Sequence, residues 1–204
     1  INEKKREHVL TLEDPIEFVH PYKNSLINQR EIGKHTKSFA SALRAALRED
    51  PDVIVVGELR DQETITLALT AAETGHLVIS TMNTTSAIKT IDRLVDAFPP
   101  KEQSAIRMML SESIAFITTQ SLLPRADKKG QVACFEVLMI TGPVQNLIRD
   151  NKTGQIPSAM IVGREQGMQT VDLALQNLLN QQRITPETAY LRAEKKETFE
   201  AMCS

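Results

Sequence analysis

Cysteine, tryptophan and excess charge are all scarce in this sequence. Its 204 residues include two cysteines, no tryptophan and a formal net charge of −2. Cys134 and Cys203 form no CxxC pair, so the sequence offers no ligand set for structural zinc, and isolated cysteines suit a reducing compartment. Near-neutral charge and 4% aromatic residues argue against a basic, base-stacking surface. We therefore predict no nucleic-acid partner.

Long apolar runs are missing as well. No stretch approaches the ~20 residues that cross a bilayer, and the charged segment from Asn2 to Arg6 predicts no signal peptide. The chain is 41% hydrophobic and 25% charged, which is ordinary for a folded domain with a real core. Because the first residue is Ile1 rather than Met, we expect these residues to belong to a longer protein.

Apolar runs alternate with helical patterns in the first half of the chain. Residues 9–12, 53–56 and 77–79 are predicted as buried strands, and the all-apolar run at 53–56 is typical of the middle of a parallel sheet. Apolar spacing predicts a helix that starts at Thr36 or Ser38 and is stopped by Asp50-Pro51, and a second at 62–74 that is capped by Asp61. Two further helices are predicted, one that follows a cap at 85 or 86 and is closed by the prolines at 99–100, and one at roughly 101–114. The polar residues 21–35 suit a loop or hairpin. This alternation predicts a doubly wound α/β fold.

The pattern changes after residue 115. Residues 115–123 and 132–140 look like paired strands around a turn at 127–130, and the chain is helical from Pro143 onward. We predict an α/β core at 1–140 and a helical subdomain at 141–204.

Ligands of an open α/β sheet bind beyond the carboxyl ends of its strands, so polar residues at those ends are candidates for a site. Glu17 follows the first strand and either acts on a ligand or belongs to a turn. Glu58 follows the second strand; it either polarises a water or holds Mg²⁺, or it only caps a helix or forms an ion pair. The polar run at 80–85 contacts a phosphate or caps the next helix.

Two basic positions and one histidine also have alternative interpretations. Arg44 and Arg48 are predicted one turn apart on a helix. They either contact a phosphate, of their own or a neighbouring subunit, or form a surface pair with Glu49 and Asp50. His76 precedes the third strand, where the residues alone favour a hydrogen-bonded structural role.

Three segments in order resemble motifs of the secretion ATPase superfamily of type II and type IV systems. Residues 11–17 resemble its Asp box, 50–61 its atypical Walker B with Gly57 in place of the usual Asp, and 74–84 its His box. Residues 143–149 resemble the helix motif of the PilT/PilU-type retraction ATPases, and 167–172 their C-terminal region. Assembly ATPases of the superfamily usually carry a tetracysteine zinc subdomain, which this sequence lacks.

The resemblance implies a RecA-like P-loop NTPase core, with a mostly parallel sheet and flanking helices, followed by a C-terminal helical subdomain. It implies a homo-hexamer that hydrolyses ATP with Mg²⁺ to drive pilus retraction, working with the pilus machinery and an inner-membrane platform protein. Such a ring is cytoplasmic and peripheral at the inner membrane. The implied roles are catalysis and indirect contact with Mg²⁺ for Glu58 and Glu17, and phosphate contact for Arg44, Arg48, Asn83 and His76.

Two departures from the family pattern stand out. The 204 residues contain no Walker A loop, which the resemblance places shortly before Ile1, so we expect residues 1–204 alone to bind ATP weakly and to be inactive. Asn83 stands where the family's His box usually ends in His, and an amide cannot titrate near neutral pH. This leaves a low-activity regulatory or structural ring subunit as the alternative function, and a RecA-like nucleic-acid motor as a third that charge and composition disfavour.

Overall fold

The computed structural model describes residues 1–203, which pack as two compact units. One unit holds residues 1–83 and 96–109, and the other holds 84–95 and the chain from Leu110 onward. The strands are β1 (His8–Glu13), β2 (Leu26–Glu31), β3 (Val53–Val56), β4 (Leu77–Ser80), β5 (Phe116–Pro124) and β6 (Gln131–Met139). The α-helices are α1 (Phe39–Ala46), α2 (Gln62–Glu73), α3 (Ala87–Asp96), α4 (Pro100–Ser113), α5 (Gly142–Arg149), α6 (Ile156–Val162), α7 (Val171–Asn180), α8 (Pro186–Arg192) and α9 (Glu197–Glu200), with 3-10 turns at Thr153–Gln155 and Gly163–Gln166.

The first unit is built on a four-stranded sheet in the order β2-β1-β3-β4, with every pair parallel. The central strands β1 and β3 turn one face toward α1 and α2, and the buried residues of that layer are Leu10, Leu12, Ala42, Leu43, Ala46, Ile54, Val56, Ala68 and Ala71. Both helices begin where the sequence predicts, at the capping residues Ser38 and Asp61. The predicted parallel α/β architecture is confirmed.

Strand β2 corrects the expectation that residues 21–35 form a loop or hairpin. It lies at the sheet edge, parallel to β1, with Leu26 beside His8. Of its six residues only Ile27 is buried, so the apolar alternation that marks a strand is missing. Its polar side chains instead find partners, as Arg30 makes a two-bond ion pair with Glu49 at 2.9 and 2.7 Å. Backbone pairing to β1 rather than apolar content makes this segment a strand.

Strand β4 was predicted to be buried, and that prediction is wrong. Among the described residues it pairs only with β3, and Leu77 and Ile79 are 48% and 43% exposed. An apolar run indicates that both faces of a strand can be buried, but it does not show whether the strand is central or at the edge of the sheet. Strand order decides this, and it places β4 at the edge.

The second unit combines the β5–β6 hairpin with the C-terminal helices. The two strands are antiparallel, as predicted, and their inner face packs on α7, α8 and α9 around Phe199, which is fully buried. The grouping by packing therefore joins the hairpin to the helices that follow it. The domain boundary near 141 stays a prediction, since packing units need not coincide with domains. No helix within residues 1–203 is both long and apolar enough to span a membrane.

Candidate functional site

The carboxyl ends of β1 and β3 meet at Gly57. The Gly57 N–H donates to the Leu12 carbonyl at 2.8 Å, and a β-carbon on Gly57 would lie only 3.1 Å from that oxygen. A side chain here would require the Leu12 carbonyl to shift by a few tenths of an ångström. The close approach of the two strand ends thus favours glycine at the position where most P-loop enzymes have Asp.

Glu58 follows directly and begins the loop beyond the sheet. Its side chain is 27% exposed and its Oε2 accepts a 2.7 Å hydrogen bond from Nε of Arg60. The hydrogen bond and charge of Glu58 raise the pKa of Arg60, with a smaller contribution from Asp14. Glu58 is therefore a partly exposed carboxylate held in one orientation by a fixed positive charge. The ion-pairing alternative for Glu58 is present, but in a position that also leaves it open to solvent.

The loop after β4 is hydrogen-bonded to the loop that carries Glu58. Oγ1 of Thr81 donates to the Gly57 carbonyl at 2.5 Å, and the Leu59 N–H donates to the Thr81 carbonyl at 3.1 Å. Ser80 Oγ donates to the Val56 carbonyl at 2.7 Å. These bonds flank Glu58 on both sides in sequence, so the Walker B and His box segments form one connected rim.

Glu17 lies in the loop that leaves the same edge. Leu12 and Val56 are register partners on parallel strands, so the segments that follow them emerge side by side. Glu17 is exposed. Glu13, by contrast, is occupied by bonds from Thr11 Oγ1 at 2.5 Å and Gln29 Nε2 at 2.9 Å. Of these two acids, Glu17 has the freedom to act on a ligand, and its pairing with Glu58 at one cleft stays a prediction.

Arg44 lies on α1, and Arg48 lies in the turn that follows this helix. Helix α1 runs from the end of β2 back to the start of β3, and its eight residues carry the chain about 12 Å away from the carboxyl edge. Arg44 makes an ion pair with Glu63, not with Glu49 or Asp50. Arg48 falls beyond Ala46, where α1 ends, which corrects its predicted helical position. Glu63 is in the first turn of α2, only five residues after Glu58, so this ion pair holds the Arg44 side chain toward the carboxyl edge. Contact of either arginine with a phosphate stays a prediction.

His76 is placed at the amino end of β4 and not with Glu58. Its Nδ1 lies 2.9 Å from the Ala71 carbonyl and 3.2 Å from Thr74 Oγ1, contacts that fix the turn between α2 and β4. A cavity of about 390 Å³ opens at this amino edge, lined in part by Asp52 and His76. Ligands of parallel α/β sheets bind at the opposite edge, so this cavity is not the candidate site.

Asn83 completes the rim, exposed and two residues after Thr81. Sequence reasoning included Thr81 only as part of a polar run, and it missed Arg60 as a partner of Glu58. The spacing Glu-x-Arg was visible, but side chains two residues apart on a loop meet only when the loop curves. Among residues 1–203, no group of three or more His, Cys, Asp or Glu side chains is placed to hold a metal. Glu58 and Glu17 nevertheless provide carboxylate oxygens, which Mg²⁺ prefers, on the edge where a nucleotide would bring it.

Comparison with known proteins identifies the family. Residues 1–199 match the family described as type II/IV secretion system protein. A twitching motility protein of Neisseria gonorrhoeae is 57% identical over 199 residues, which are 98% of this chain and 53% of that protein. The type IV pilus retraction ATPase PilT of Pseudomonas aeruginosa is 51% identical, covering 98% of this chain and 58% of that protein. This chain thus spans little more than half the length of these relatives.

A solved structure agrees with the sequence comparison. The crystal structure of the pilus retraction motor PilT with bound ADP superposes with a TM-score of 0.90 at 48% identity, over 98% of this chain and 57% of that one. The matched region includes the parallel sheet, the Walker B segment with Gly57, and the polar loop after β4. The chain belongs to the type II/IV secretion system protein family.

Proposed function

We propose that the full-length protein is an ATP-hydrolysing motor of type IV pilus retraction, and that residues 1–204 supply its catalytic edge. The observation that carries the proposal is Glu58, held beyond the central strand β3 and hydrogen-bonded to Arg60. The names of the relatives, a twitching motility protein and a pilus retraction ATPase, supply the biological process.

The chemistry follows from the placement of the residues. Phosphoryl transfer depends on positioning and on stabilising charge spread over the phosphate oxygens. Glu58 would orient or activate the attacking water, and Glu17 would assist at the water and at Mg²⁺, which arrives with ATP and neutralises phosphate charge. Thr81 and Asn83 would contact the γ-phosphate from the β4 loop. The Walker A loop that holds the other phosphates is expected in the part of the protein that precedes Ile1.

A ring would give the two arginines of α1 and its following turn a phosphate to contact. Arg44 and Arg48 are exposed and would face the phosphates of a neighbouring subunit, as expected for arginines that stabilise transition-state charge in trans. We propose a homo-hexamer, the ring form implied by the family resemblance. It would work in the cytoplasm against an inner-membrane platform protein of the pilus machinery.

The decisive test is ATP hydrolysis by the full-length protein with and without Glu58. Glu58→Gln is expected to lower kcat by about 100-fold or more while leaving KM nearly unchanged, as loss of a general base does. Glu73→Gln is the matched control, because Glu73 is an exposed carboxylate at the end of α2, away from the edge. Equal turnover in wild type and Glu58→Gln would refute the motor assignment and favour the low-activity ring subunit.

A further inference from the structure

Glu136 is a buried carboxylate that the proposed chemistry does not use. It lies on β6, is 4% exposed, and its Oε2 accepts hydrogen bonds from the Ala87 N–H at 2.7 Å and Thr119 Oγ1 at 3.1 Å. Burying a carboxylate is costly unless its oxygens are satisfied. The structure thus places an acid where an apolar residue would be the default, and uses it to hold one backbone amide.

That amide is the first of helix α3. The opening N–H groups of a helix have no partner within it and carry partial positive charge. Glu136 satisfies the Ala87 N–H, while Ser86 Oγ accepts from the Lys89 N–H at 3.2 Å. The hairpin therefore fixes where α3 begins, and the start of α3 is where the β4 loop ends.

Arg192 holds the same segment from a different element. It is the last residue of α8, and its guanidinium donates to the Thr85 carbonyl at 3.2 Å and to Ser121 Oγ at 3.0 and 3.1 Å. Ser121 and Thr119 lie on the inward face of β5. Glu136 thus accepts a hydrogen bond from the backbone of Ala87, and Arg192 donates one to the backbone of Thr85, two residues earlier. Together the two side chains fix the direction of the segment as well as its position.

The segment itself is short and follows Asn83 without a break. Thr84 is tied to α3 through Thr90, with their hydroxyl oxygens 2.6 Å apart. Every residue from Thr84 to Ala87 therefore contacts α3, the hairpin or α8. Burial raises the pKa of Glu136, and the hydrogen bonds from Ala87 and Thr119 and the charge of Arg192 oppose that rise, as expected when the acid's main partners are these groups.

We propose that Glu136 and Arg192 are positioning residues that hold the segment Thr84–Ala87, and through it Asn83, in the geometry that ATP hydrolysis requires. Arg192 of α8 and Glu136 of β6 each contact the segment that directly follows Asn83 in the chain. These contacts give the C-terminal helices a route by which a partner could change turnover without touching the nucleotide. This inference rests on the proposed ATPase function.

The test uses the full-length protein with Glu136→Leu, Glu136→Gln and Arg192→Ala. Because the catalytic groups remain, we expect kcat of Glu136→Leu and Arg192→Ala to fall on the order of tenfold or more, as misplacement of a site does, with KM within about twofold. Glu136→Gln keeps an oxygen acceptor at the same place and is expected to retain most of the turnover.

Two control variants separate positioning from general stability. Arg125→Ala removes an arginine of the same hairpin that pairs with Asp127, away from the segment. Thr170→Ala removes the side-chain cap of α7 and lowers Tm without touching residues 84–87. If Thr170→Ala lowers kcat as much as Arg192→Ala does at a comparable Tm, the positioning role is refuted.

Hydrogen exchange gives an answer that does not depend on activity or on the Leu variant folding. Peptides covering residues 81–90 are expected to exchange faster in Arg192→Ala than in wild type and Arg125→Ala, because the segment loses its hold. Unchanged exchange in this peptide would overturn the inference. An inactive wild-type protein would refute the proposed function instead, and the exchange result would still decide whether the two residues hold the segment.

Discussion

Nε of Arg60 lies 2.7 Å from Oε2 of Glu58, so a residue of the same loop sets the orientation of the proposed catalytic carboxylate. The two side chains are 62% and 27% exposed, which makes the pair a weak contributor to stability. Its significance is geometric, because it fixes where the carboxylate points before any ligand arrives.

Arg60→Ala in the full-length protein is therefore expected to lower kcat roughly tenfold, the loss of one charge-assisted hydrogen bond, with little change in Tm. Arg60→Lys keeps the positive charge but not the planar guanidinium donor, so its kcat is expected to lie between those of wild type and Arg60→Ala. Steady-state ATPase assays with thermal melts measure both effects. A Tm loss large enough to explain the lost turnover would show a structural role instead.

A side chain at Gly57 is expected to destabilise the protein. Gly57→Ala places a β-carbon 3.1 Å from the Leu12 carbonyl oxygen, so the ends of β1 and β3 must shift by a few tenths of an ångström at the edge that carries Glu58. We expect a loss of about 1–3 kcal/mol in the free energy of unfolding, together with a fall in kcat. Denaturant titration and ATPase assays measure these. Gly142→Ala is the matched control, since a β-carbon there meets no atom within 4 Å, and equal effects at both positions would contradict the close-approach argument.

Asn83→His tests whether the departure from the family's His box reduces activity. Imidazole titrates near pH 6.5 and amide does not, so the substitution is expected to raise turnover and to add a pH dependence of kcat in that region. A pH–rate profile of the full-length variant beside wild type provides the measurement. Superimposable profiles would mean that this position does not affect hydrolysis here.

Glu136 should make stability depend on pH in a defined direction. Burial raises its pKa above the usual 4.5, so the folded state holds the proton more tightly than the unfolded state. The stability that protonated Glu136 contributes is full below the ordinary carboxyl pKa and is lost as pH rises through the raised pKa.

Glu136→Gln cannot titrate, so its Tm relative to wild type is expected to increase as pH rises across that window. Glu194 and Arg192 are the charged groups whose fields act on this carboxyl. Thermal melts of both proteins in a pH series measure the difference. A Tm difference that stays constant with pH would contradict the raised pKa.

Local chemistry made much of this fold predictable. The β-branched run at Val53–Val56 predicts a central parallel strand, and the structure places β3 between β1 and β4. Asp61 predicts the start of α2 because a short oxygen acceptor satisfies a free amide there. Each of these features depends on residues within a few positions of one another. The resemblance of three short motifs similarly predicted the family that the comparisons then confirmed.

Tertiary structure alone decided the features that depend on which segments lie side by side. The polar segment β2 forms a strand because its backbone pairs with β1. Strand β4 is partly exposed because the strand order places it at the edge of the sheet. The separation of His76 from Glu58 follows from chain direction in a parallel sheet, where successive elements run between opposite edges. Glu136 carries no signal in the sequence, because its partner Ala87 is 49 residues away and only folding brings the buried acid to the start of α3.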